Sequence, residues 1–169
     1  MSQPSYADDR AAIEDLMARY LFAMDYNDFE TYAATFTEDG ELEFARGTVI
    51  GRENIKQAAI GFKEAIGKLY KDEDGNPAIL RHVKCHTTIR VEGDLAWTTA
   101  FWFEMANDGP GKSLKMGTFG IYEDALVRQD GQWLFSKRRI LNEFLPGRHS
   151  GPENPVLVMD RLAEAAKGA

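Results

Sequence analysis

Three histidines, His82, His86 and His149, carry the side chains whose ordinary pKa lies nearest neutrality, so proton-transfer chemistry in this chain is sought first among them. His82 and His86 are four residues apart. On a helix that spacing would let both imidazoles hold one metal ion, but the surrounding segment reads as a strand, where the two Cα atoms stand about 13 Å apart. A shared metal is disfavoured, and no CxxC, HExxH or DxDxDG pattern supplies another site. The period of two places His82, Lys84, His86 and Thr88 on one face of their strand. If that face lines a cavity, two imidazoles and an ammonium group converge there; if it faces outward, all are surface groups. On the following strand Trp102 and Glu104 share a face, opposite Trp97, Phe101 and Phe103, and Glu104 is a candidate second acid or base. Tyr122 with Asp124, and Arg138 or Arg139, read as cross-strand pairs and solvated edges.

Other chemistries lack their signatures. The glycine-rich stretch Gly109-Pro110-Gly111-Lys112 sits between two strand patterns and opens no helix, so neither phosphate-binding fingerprint is met. No G-x-S-x-G elbow presents a serine nucleophile. The single cysteine, Cys85, has no partner for an internal disulfide and reads as a small buried residue. The expectation is chemistry by side chains alone, with no metal and no cofactor.

The elements that must position these groups fall into two halves. Ile13, Leu16, Met17, Tyr20, Leu21 and Met24 recur at helical spacing, and Ser5 followed by Asp8 and Asp9 suits a helix start, which predicts a helix over residues 6–25. Asn27 or Asp28 can cap a second helix with Phe29, Tyr32, Ala33 and Phe36 on one face, ended by Asp39-Gly40. A brief strand around Leu42 and Phe44 follows. A third helix opens after Gly51 with Ile55, Ala58, Ala59, Phe62 and Ile66 aligned, and residues 67–78 read as a polar loop. From Ile79 the period becomes two, with strands expected at 79–92, 95–106, 114–127 and 132–142, joined by tight turns at Glu92-Gly93-Asp94 and Asp130-Gly131. Helices first and a meander afterwards is the α+β pattern: helices gathered on one face of a curved antiparallel sheet. The aromatic content of the strands exceeds what one flat face could hide, so a cone-shaped barrel with a cavity is expected. Residues 142–155 hold three prolines and two glycines ahead of an amphipathic segment with Val156, Met159, Leu162 and Ala163. The expectation for this stretch is a lid over a pocket, a strap onto a neighbouring subunit or a frayed end. The division expected is a domain over 1–145 and a tail over 146–169, the tail a lid or an oligomer contact.

Composition bounds the rest. The 169 residues suit one domain, and 44% hydrophobic with 28% charged residues is globular. A net charge of −7 repels phosphate backbones and anionic lipid, so nucleic acid and membrane surfaces are not expected partners. No apolar run approaches the roughly 20 residues of a membrane helix. The start MSQPSYADDR has no signal-peptide pattern, which makes the cytoplasm the default.

The strings AAIEDLMARYLFAMDYNDFETYAATFTEDGELEF, GRENI, RHVKCHTTI and GIYEDALVRQDGQWLFSKRRI are each degenerate, but their order and spacing are more specific. Together they resemble the nuclear transport factor 2-like superfamily, and within it the SnoaL-like group that includes polyketide cyclases, scytalone dehydratase and bile-acid dehydratase. The resemblance runs over roughly Asp8 to Leu141. It implies a cone-shaped α+β barrel around an apolar pocket, often in a homo-oligomer, here a dimer or trimer. The family's acid–base set falls on Tyr20, Asp25 and His82. A carboxylate that accepts the Nδ1 hydrogen of an imidazole fixes its tautomer and raises the basicity of the other nitrogen, which would be the role of Asp25 toward His82. Tyr20 would hydrogen-bond a substrate oxygen. The pattern departs at His86, where many relatives carry asparagine, so either imidazole could be the working one. His86, Lys84, Trp102, Glu104 and Tyr122 are the candidates to bind substrate.

The function this implies is a cofactor-independent lyase or isomerase acting on a small, apolar, oxygenated ring compound of aromatic, lignin-derived, polyketide or steroid type. As a lyase it would be a dehydratase or would expel a small fragment such as formaldehyde by retro-aldol cleavage. Two alternatives from other classes are a non-catalytic small subunit resembling the β subunit of ring-hydroxylating dioxygenases, and a ligand-binding module. The His82 and Asp25 pair argues against the structural subunit, which has no need of a buried dyad, and turnover separates the enzyme from the ligand-binding module.

Overall fold

The computed structural model describes residues 4–166, so the outermost three residues at each end of the expected domain and tail lie outside the described residues. Helix α1 spans Tyr6–Asp25 and starts from a capping box: Asp8 N–H donates to Ser5 Oγ at 3.3 Å, and Ser5 N–H donates to Asp8 Oδ2 at 2.9 Å. Its face of Ile13, Met17, Tyr20 and Leu21 is buried in the core. At its amino end Arg128 grips buried Asp9 with both terminal nitrogens, at 2.7 and 2.9 Å, and Trp133 Nε1 donates to Asp9 at 3.1 Å. In its middle Glu14 pairs with Lys84, whose Nζ also donates to Thr87 at 2.8 Å. These contacts fix where along the sheet the carboxyl end of α1, and hence Asp25, comes to rest.

Helix α2 (Phe29–Ala34) is capped by Asp28, which accepts from Thr31 N–H at 3.1 Å. It ends earlier than expected. Asp39-Gly40 does not terminate it but lies inside strand β1 (Phe36–Phe44), where a Cβ on Gly40 would stand 3.0 Å from that of Phe36. An unpredicted edge strand, β2 (Gly47–Ile50), pairs with β1 and leads through Gly51 into α3 (Arg52–Leu69). The four long strands fall where the period of two puts them: β3 (Leu80–Glu92), β4 (Leu95–Ala106), β5 (Lys115–Gln129) and β6 (Gln132–Asn142). Asp130 and Gly131, both at positive φ, make the β5–β6 hairpin.

The six strands form one sheet in the order β2-β1-β6-β5-β4-β3. The meander β3 to β6 is antiparallel as expected, whereas β1 joins β6 in parallel, so the sheet is mixed. It is strongly curved and open. The register shifts in β3, in the β4–β5 pair and in the β5–β6 pair are where that bending is built in. Helices α1, α2 and α3 cover the concave side over a core that includes Tyr20, Tyr32, Phe36, Tyr122 and Phe135. On the opposite face lies α4 (Pro155–Ala166), with Met159 and Ala163 buried against β3 and β4, and Arg90 paired with Asp160 at 3.4 Å and with Glu164. The amphipathic part of the tail thus packs on the sheet of its own chain, while Phe144 and Leu145 just before the tail edge the cavity. Among the described residues no helix is long and apolar enough to cross a membrane.

Candidate active site

Asp25, the last residue of α1, is 8% exposed and spends both carboxylate oxygens on one residue of β3. Oδ1 stands 2.6 Å from Nδ1 of His82, and Oδ2 accepts from the His82 backbone N–H at 2.9 Å. This double contact fixes the imidazole's orientation; in a neutral ring it favours the tautomer with the proton on Nδ1 and the lone pair on Nε2. Nε2 lies 3.7 Å from Oε2 of Glu104, the cross-strand partner of His82. The Glu104 side chain lies against Gly117, where a Cβ would stand 2.7 Å from Oε1, and it accepts from Tyr70 OH at 3.1 Å. Burial, with the Glu104 carboxylate beside it, pushes the Tyr70 phenol up to about 12. Tyr70 is therefore a neutral donor near pH 7.

His82 faces a cavity of about 320 Å³ enclosed by α1, α3 and the concave sheet. Its lining is mainly apolar, with Leu21, Met24, Ala59, Phe62 and Ile66 from the helices and Leu42, Trp102, Tyr122 and Ile140 from the sheet. In its depth Tyr20 and Tyr32 share a hydroxyl hydrogen bond of 2.9 Å. Beneath them Arg138, fully buried, binds Asp124 through Nε at 2.8 Å and a terminal nitrogen at 2.7 Å, and Thr98 donates to the same carboxylate at 2.8 Å. The guanidinium lies 4.1, 4.4 and 4.0 Å from the ring centres of Tyr20, Tyr122 and Phe135. Burial pushes the phenols of Tyr20, Tyr32 and Tyr122 above the usual tyrosine range, so these too remain neutral donors.

Of the residues singled out from sequence, Tyr20, His82, Trp102, Glu104 and Tyr122 line this cavity, and Asp25 stands immediately behind His82. Lys84 does not reach it; its ammonium is taken by Glu14 and Thr87 beneath α1. His86 does not reach it either. A bulge between Cys85 and Thr88, with His86 at φ 52°, breaks the alternation that would have aligned it with His82. Its exposed ring packs edge-on against Phe101, with Nδ1 3.3 Å from the Cys85 sulfur. Asp124 and Arg138 are likewise not a solvated edge but a buried ion pair under the cavity floor.

Several contributors escaped sequence reasoning. Tyr70 fell in a segment read as polar loop, Tyr32 read as helix-face core, and Asn142 stands at the end of the last strand with no pattern to mark it. Lys63 of α3 is half-buried beside the dyad; burial pulls its ammonium pKa down while Asp25 and Glu104 oppose the shift. Only contacts that cross the fold could reveal these. Among the described residues no three His, Cys, Asp or Glu side chains are arranged to hold a metal ion.

A helix-flanked open cone with a carboxylate–imidazole pair in its wall is a fold-and-site combination that can be compared with known families. The SnoaL-like domain profile matches residues 5–139, and the chain belongs to that family. A search of curated proteins finds no significant match. Among solved structures the chain resembles an aspartate-to-asparagine variant of Rv3472, a protein of unknown function from Mycobacterium tuberculosis, at 26% identity and TM-score 0.68, over 94% of this chain and 95% of that one. It also resembles a candidate scytalone dehydratase from Novosphingobium aromaticivorans, at 23% identity and TM-score 0.64, over 88% and 93% of the two chains. A hexachlorocyclohexane dehydrochlorinase, LinA type 2, aligns at 22% identity and TM-score 0.65, over 86% and 95%. The last two likenesses speak to the fold.

Proposed function

We propose that the protein is a cofactor-independent acid–base lyase that eliminates water or another small fragment from an apolar, oxygenated ring compound. The observation that carries this reading is the 2.6 Å contact between Asp25 and His82 Nδ1, at the wall of an aromatic-lined cavity. Held by Asp25, neutral His82 presents Nε2 as a base. It removes a proton from a substrate carbon; that C–H electron pair becomes the new double bond as the neighbouring carbon–oxygen bond breaks. The departing oxygen needs a proton. Tyr20, kept neutral by burial, hydrogen-bonds it, and the imidazolium returns the proton just taken, so hydroxide leaves as water. Asp25 stabilises the imidazolium while it exists. Retro-aldol loss of formaldehyde would use the same base on a substrate hydroxyl. That two fold neighbours carry names of elimination enzymes supports the class without specifying the substrate.

The test is a panel of hydroxylated aromatic, polyketide-type and steroid compounds, followed by mass spectrometry for loss of water or formaldehyde. Turnover of at least one compound is expected, unchanged by dialysis against chelator or by added nicotinamide or flavin. Turnover that stops on chelation would overturn the proposal.

A further inference from the structure

Of the cavity's polar groups that the acid–base reaction does not use, two stand without a partner. Trp102 and Asn142 both line it and are 4% and 6% exposed, yet the indole Nε1–H and the Asn142 Oδ1 have no hydrogen-bond partner among the described residues. Buried polar atoms are nearly always paired in native proteins, and an unpaired donor and an unpaired acceptor on residues that line one ligand-sized cavity have the form of a recognition site.

Strand register brings the two together. Gly120 of β5 pairs with Trp102 on one side and with Asn142 on the other, so the three residues form one row across the concave face. Gly120 leaves a gap in that row. A Cβ there would stand 3.0 Å from Trp102 Nε1 and 1.9 Å from the Leu141 carbonyl oxygen, so the position admits only glycine and the indole edge reaches over it. The Asn142 side chain rises from the adjacent strand, about 5 Å away across the row. The indole ring and the asparagine backbone are both held. Trp102 stacks on Tyr122 with ring centres 5.6 Å apart and planes 18° apart, and the Asn142 backbone donates to Arg148 O at 2.8 Å and accepts from Leu145 N–H at 3.0 Å.

We propose that Trp102 and Asn142 form an anchor for one substrate hydroxyl, which accepts from the indole N–H and donates to the asparagine Oδ1. A hydroxyl satisfies both groups at once, whereas a hydrocarbon satisfies neither. The ring centre of His82 lies 6.2 Å from that of Trp102, so a ring held by its hydroxyl over Gly120 turns its neighbouring carbons toward the dyad. The anchor thus deepens the lyase reading, since it rests on this cavity being the substrate site and specifies a ring that keeps a hydroxyl apart from the bond that breaks.

The experiment is calorimetric titration of the full-length protein with p-cresol and with toluene, which differ only in the hydroxyl, and it requires no turnover. Wild type should bind p-cresol at least about tenfold tighter. Trp102→Phe and Asn142→Ala should each shrink that preference to within a few-fold while toluene binding persists, and His82→Ala should keep it. Equal binding of the two probes to wild type overturns the anchor and leaves the acid–base reading standing. A preference that survives both anchor variants but disappears in His82→Ala also overturns it, because the dyad would then be holding the hydroxyl. Failure of both probes to bind overturns the anchor together with the cavity as a ligand site.

Discussion

At the scale of single residues, the proposed reaction rests on one imidazole and one carboxylate, whose roles differ. His82→Ala should lower kcat by about 10²–10⁴-fold, the usual contribution of a positioned proton-transfer group, with circular dichroism unchanged. Asp25→Asn should act in the same direction, because the ring stays in place but loses the charge that supports its protonated form. His86, in the left-handed region and outside the cavity, should behave oppositely: His86→Gly should leave turnover intact and raise stability by about 0.5–1 kcal/mol, read from urea midpoints. Loss of activity in that variant would mean that the working imidazole has been misassigned. Tyr70 offers a pH test. Its phenol is raised in the fold to about 12 from 10.0, so the protonated form is the stabilising one; that stability is full below pH 10 and is lost as pH rises through about 12. Urea midpoints should therefore fall across that window. Tyr70→Phe should flatten part of the fall, the buried phenols of Tyr20, Tyr32 and Tyr122 accounting for the remainder.

At the scale of elements, the dyad exists because α1 and β3 meet at one fixed offset. Asp25 and His82 are 57 residues apart in sequence, and what brings them within hydrogen-bond reach is the clamp at the far end of α1 together with Lys84 at its middle. Lys84 is in this sense a positioning group, which explains its inward face without a place in the cavity. Breaking the clamp tests the idea. Asp9→Ala leaves Arg128 and the Trp133 indole without their shared acceptor and should cost about 3 kcal/mol of stability, measured by chemical denaturation. A loss well below about 1 kcal/mol would show that α1 is held by its apolar face alone.

At the scale of the whole molecule, the curved sheet leaves apolar groups on its outer side that α4 does not reach. Met116 and Phe119 of β5 are 59% and 44% exposed, Phe119 adjoins Phe101 and pairs with Phe103 on the same face, and Leu114 in the loop before β5 is 65% exposed. Exposed apolar groups on the outer face of a sheet are a candidate contact, and a second copy of the same chain is the simplest occupant. Sedimentation should therefore find a dimer or trimer at micromolar concentration, and Phe119→Asp should shift it toward monomer. A wild-type monomer under those conditions would remove the oligomer from the description.

Wherever a local period governs structure, reading residues in order was enough. The 3.6-residue spacing of Ile13, Met17, Tyr20 and Met24 and the Ser5 cap placed α1, and alternation with Asp130-Gly131 placed the meander, because helix and hairpin hydrogen bonds form between residues near in sequence. Asp25, His82 and Tyr20 became candidates through a resemblance spread over the chain, and Glu104, Trp102 and Tyr122 through residue type and strand face. What needed the tertiary structure depends on contacts that period does not encode. The bulge at His86 turned one imidazole out of the row that alternation had drawn, the parallel joining of β1 to β6 mixed the sheet, and the Arg138–Asp124 pair sank beneath the floor. Tyr70 joined Glu104, and Trp102 and Asn142 came to flank Gly120 in one row, only when the strands bent around one cavity. Strand register and curvature are set by the packing of the whole sheet against its helices, and they decide which of the chemically able side chains face the same space.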